Sequence, residues 1–130
     1  MNTKYLMVAS SILFALTGLI CSFAPEEILK FLHLENQSLF TLIIQLLGAL
    51  YLGFAILNWT AKSNLIGGIY SKPVSIGNFL HFLAGGLVLT KYYSKHTADT
   101  VLIAPIVIYL IFAIAFGLVF SGRHEFKKPV

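Results

Sequence analysis

From Phe40 to Ala61 the chain reads FTLIIQLLGALYLGFAILNWTA, twenty-two residues without a formal charge. At about 1.5 Å per residue, a helix of that length reaches across the roughly 30 Å hydrocarbon core of a bilayer. The run reads as a membrane span. Composition extends this reading to the whole chain, because 130 residues that are 58% hydrophobic and 11% charged fall outside the range of soluble domains. Three further apolar runs follow the same pattern: Tyr5 to Ala24, Val74 to Leu89 with an aromatic end at Tyr92 and Tyr93, and Thr100 to Ser121. Spans over about 4–24, 39–61, 74–93 and 100–121 leave no residues for a soluble domain. The expected fold is an all-α integral membrane four-helix bundle forming a single domain over 1–130.

Charge sets the orientation. The formal net charge is +4, but the basic residues are scattered over loops and termini rather than gathered into a nucleic-acid surface. With a cytoplasmic N-terminus, Lys4, Lys62, Lys72, Arg123, Lys127 and Lys128 face inward, and Lys30, Lys91 and Lys95 face outward. This satisfies the positive-inside bias, so both termini are expected in the cytoplasm and the chain in the cell's inner membrane. Tyr5, Trp59 and Tyr70 then mark the inner interface, and Tyr92 and Tyr93 the outer one. The first run, although preceded by Lys4, is long enough to span and is read as a retained helix. A single cysteine, Cys21, excludes an intramolecular disulfide and reads as a small packing residue.

Between the first two spans lies PEEILKFLHLENQS. Proline followed by two glutamates opens a helix, because proline is tolerated in the first turn and acids favour the positive end of the dipole. Ile28, Leu29, Phe31, Leu32 and Leu34 are too many for a solvated loop and too few to span, so a short amphipathic helix over about 25–34 is expected in the outer interface. The connection KSNLIGGIYSKP turns at Gly67-Gly68 and is not a phosphate loop. Pro105 should kink the fourth span.

Small and polar residues within the spans point to packing. Ser11, Ala15, Gly18 and Ser22 form a seam of small side chains on the first span, which should pack on the second. Gln45, Ala49 and Gly53 recur at i, i+4, i+8 and form a stripe that lets a neighbouring backbone come close, with Gln45 expected to bond Ser22 or Thr17. Tyr51 and Asn58 make a second polar line, and Asn78, His81 and Gly85 share a face of the third span.

The chain resembles small four-helix bacterial membrane proteins of the DoxX-like group. The likeness rests on Gly18-Leu19 late in the first span, Ala24-Pro25 opening a segment that ends in Leu32-His33-Leu34, and Leu47-Gly48-Ala49 with Leu52-Gly53 in the second span. It covers about half the chain and contains no catalytic motif, so it implies a compact four-helix membrane bundle and nothing residue by residue. Asn78 and His81 match no pattern of that group.

Polar groups inside a bilayer are costly and are read first as sites. Asn58 lies roughly 5 Å in from Ala61, and Asn78 and His81 lie roughly 6 and 11 Å in from Pro73, which puts all three at similar inner-leaflet levels. If they converge, with Tyr51 nearby, they form a hydrogen-bonding pocket under an apolar ceiling, suited to a quinone-, sterol- or lipid-like molecule. The other reading has Asn58 and Asn78 bonding between helices and His81 donating to a backbone carbonyl. No metal site or cofactor is expected, since His81 is the one embedded imidazole and no acid lies within a span. Two functional classes stand: a non-enzymatic structural or accessory membrane component, self-associating or serving a membrane-protein partner, and a binding or transport protein for a small lipophile.

Overall fold

The computed structural model describes residues 3–35, 37–63, 71–97 and 100–121. The expected turn at Gly67-Gly68, Tyr70, and the basic tail from Arg123 lie outside them. Among the described residues the structure is helical, without a strand. The helices are α1 (Thr3–Phe23), α2 (Pro25–Phe31), α3 (Ser38–Ala61), α4 (Lys72–Lys95) and α5 (Ile103–Phe120), the last preceded by a 3-10 turn at Thr100–Leu102. Four of them, α1, α3, α4 and α5 with its leading turn, are long and apolar enough to cross a membrane. The elements fall into two compact units: Lys4–Ser63 carries α1 to α3, and α4 and α5 belong to the other.

In the first unit, α2 begins at Pro25 with Glu26 and Glu27 in its first turn, where the missing proline N–H has no helical partner to lose and the carboxylates meet unpaired N–H groups. Its buried face is Pro25 and Leu29, while Phe31, Leu32 and Leu34 stay exposed. The helix stops three residues short of the expected 34. His33 takes a left-handed conformation (φ 54°). Its N–H donates to the Lys30 carbonyl at 3.1 Å, and the Leu34 N–H donates to the Leu29 carbonyl at 2.9 Å. These two bonds satisfy carbonyls that the helix end would otherwise leave unpaired, and a histidine occupies the place where glycine is usual.

In the second unit, α4 and α5 form an antiparallel pair with Phe82 at its centre. The Phe82 ring lies 4.8 Å from that of Phe112 and 5.9 Å from that of Phe116, both stacked, and Phe82 and Phe116 are fully buried. Gly117 makes room for the ring of Phe79, whose edge would be 3.1 Å from an added Cβ. Pro105, where a kink is expected, is the third residue of α5, within the first turn, where proline is tolerated, and the 3-10 turn at Thr100–Leu102 leads directly into it.

Candidate functional site

The polar side chains that the sequence places within the spans fall into two groups, one in each unit. In the first, α1 and α3 meet along two seams of matching period. Met7, Ser11, Phe14, Gly18 and Cys21 are the buried residues of α1 at alternating steps of four and three. Gly48, Tyr51, Ala55 and Asn58 recur on α3 at steps of three and four, all buried except the half-buried Tyr51. This 3.5-residue spacing keeps one face of each helix on its partner.

The contact is closest at the glycines. A Cβ at Gly48 would sit 2.5 Å from Ser22 Oγ and 2.8 Å from the Ser22 backbone N, and one at Gly18 would sit 3.0 Å from the Gly48 carbonyl oxygen. One helical turn away, Phe14 fills the seam against Tyr51 and Phe54, at ring separations of 5.7 and 5.4 Å. Beyond the aromatics come the hydrogen bonds. Ser11 Oγ donates to the Ala55 carbonyl at 2.8 Å, which crosses from α1 to α3. Asn58 Nδ2 donates to Ser10 Oγ at 2.9 Å, and Ser10 in turn donates to the Met7 carbonyl at 3.0 Å. Ser10 and Asn58 are both fully buried.

Of the seam expected on α1, Ser11, Gly18 and Ser22 lie against α3, and Ala15 is half-buried at the margin. The stripe on α3 faces elsewhere. Gln45, Ala49 and Gly53 are exposed, and a Cβ at Gly53 would meet nothing within 4 Å. Gln45 therefore does not bond Ser22 or Thr17: Ser22 packs on Gly48, and Thr17 Oγ1 donates to Leu13 of its own helix at 2.9 Å. The face toward α1 is instead the Gly48 line, one residue and about 100° away, because it combines small side chains with the hydrogen-bonding Asn58. Beside the exposed stripe runs an apolar groove of about 730 Å³ lined by Leu46, Ala49, Leu50, Gly53, Phe54 and Leu57.

In the second unit, Tyr109 of α5 reaches over α4. Its ring occupies the space left by Gly85, where an added Cβ would be 2.5 Å from Tyr109 Cε1. Its hydroxyl lies 3.4 Å from His81 Nε2, so the imidazole meets a phenol across the two helices. Phe82 presents its edge or face to both rings, at 5.4 Å from His81 and 5.3 Å from Tyr109. Asn78 is fully buried, and its Nδ2 donates to the Val74 carbonyl at 2.9 Å, within α4. Of the four residues expected around one pocket, Tyr51 and Asn58 thus belong to the α1–α3 unit, and Asn78 and His81 to the α4–α5 unit. No family model, curated protein or solved structure matches this chain.

Sequence reasoning missed Ser10 and Gly48. Ser10 was overlooked because Ser11 beside it fitted a regular spacing, and Gly48 because Ala49 did. The signal that could have found Gly48 is the joint pattern Gly48, Tyr51, Ala55, Asn58, whose alternating steps of three and four mark a helix seam more strongly than an i+4 row. Among the described residues, no group of three or more His, Cys, Asp or Glu side chains could hold a metal ion. Every buried side-chain nitrogen or oxygen there has a hydrogen-bond partner.

Proposed function

We propose that this chain is a small multi-pass membrane protein with a structural or accessory role, whose embedded polar groups join its helices. The observation that carries this reading is the Asn58–Ser10–Met7 chain of hydrogen bonds beside the Ser11–Ala55 bond. A buried carboxamide already bonded to a neighbouring helix is what an interhelical fastener looks like in lipid. The large apolar side chains left exposed support the setting, since only 11% of the apolar windows of α3 and α5 is buried. In this reading the four long helices form the bundle that the DoxX-like resemblance implies, with both termini in the cytoplasm of a bacterial inner membrane. The exposed Phe31, Leu32 and Leu34 dip α2 into the outer interface. At the inner end, Lys62 Nζ lies 3.0 Å from the centroid of the Trp59 ring, a cation–π pair suited to the headgroup level.

A second reading, a site for a small lipophile, has the His81–Tyr109 pair in its favour: a half-buried imidazole and phenol beside apolar rings suit a carbonyl or hydroxyl ligand. One experiment separates the two. The protein is extracted from membranes in mild detergent and analysed by native mass spectrometry, wild type beside His81→Leu. The structural reading expects protein assemblies with no retained small molecule. A lipophile bound stoichiometrically to wild type and lost in His81→Leu overturns it in favour of the second.

A further inference from the structure

We draw no further inference here: the strongest candidate, the His81–Tyr109 side-chain cluster between α4 and α5 beside Phe82, belongs to the site already described, where it carries the lipophile reading.

Discussion

Substituting two glycines on one helix, five residues apart, measures how much of this fold depends on close approach. An alanine Cβ at position 48 would stand 2.8 Å from the backbone nitrogen of Ser22, and ordinary contact begins at 3.4 Å, so α1 and α3 must separate by about 0.6 Å or more. The obstacle is backbone and cannot rotate away. Overpacking of this kind costs about 1–3 kcal/mol. At position 53 the same Cβ meets nothing. Both substitutions gain about 0.5–1 kcal/mol from removing a glycine from a helix interior, so that gain cancels in the comparison and the difference reports the contact alone. Gly48→Ala is therefore expected to be less stable than Gly53→Ala by about 1–3 kcal/mol. The assay is reversible unfolding by sodium dodecyl sulfate in mixed micelles, followed by far-ultraviolet circular dichroism, at protein concentrations low enough to keep the chain monomeric. Equal midpoints for the two variants would refute the placement of Gly48 at the seam, as would a Gly53→Ala protein that is the less stable of the pair.

Two other expectations use the same assay. A double-mutant cycle of Asn58→Leu and Ser10→Ala should give a coupling of about 1 kcal/mol, in the range for paired polar side chains within membranes, whereas Asn58→Leu with Thr60→Ala, whose hydroxyl bonds only within α3, should be additive. His33→Gly should stabilise the end of α2 by about 0.5–1 kcal/mol, since it relieves a left-handed conformation at a cost in unfolded-chain entropy, and His33→Val should destabilise it. Hydrogen exchange of the Leu34 amide, which donates to Leu29, reads the change locally.

The long helices were legible because length and the absence of charge are properties of a segment taken alone. The run at Phe40–Ala61 begins two residues after α3 does and ends with it, and Pro25 with Glu26 and Glu27 located the start of α2 to the residue. The end of α2 was not legible, because a left-handed His33 closes it. Histidine carries no strong signal for that conformation, whereas a glycine there would have announced it. The start of α5 was not legible for a related reason: whether a proline breaks a helix or begins one depends on where the first turn falls, and a 3-10 turn can move that point by several residues.

The polar residues show a sharper limit. Asn58 was recognisable as an embedded hydrogen-bonding group, but its partner is Ser10, which no periodic rule on α1 singled out. Pairing is decided by the rotation of one helix against another, and a rotation of about 100° exchanges Ala49 for Gly48 and Gln45 for Ile44. A row of small residues is compatible with either rotation, since small side chains permit approach without demanding it. The choice falls to the residues that gain most by being covered. On α3 these are Asn58, which has a hydroxyl to meet, and Tyr51, which has the face of Phe14. Gln45 lies about a quarter-turn from that line and cannot join it without withdrawing Asn58 from Ser10. The helix therefore holds two incompatible demands for a polar neighbour, and α1 answers one of them. The stripe of Gln45, Ala49 and Gly53 is therefore no part of the α1 seam, and what fastens α1 is the Gly48 line with Asn58 at its end.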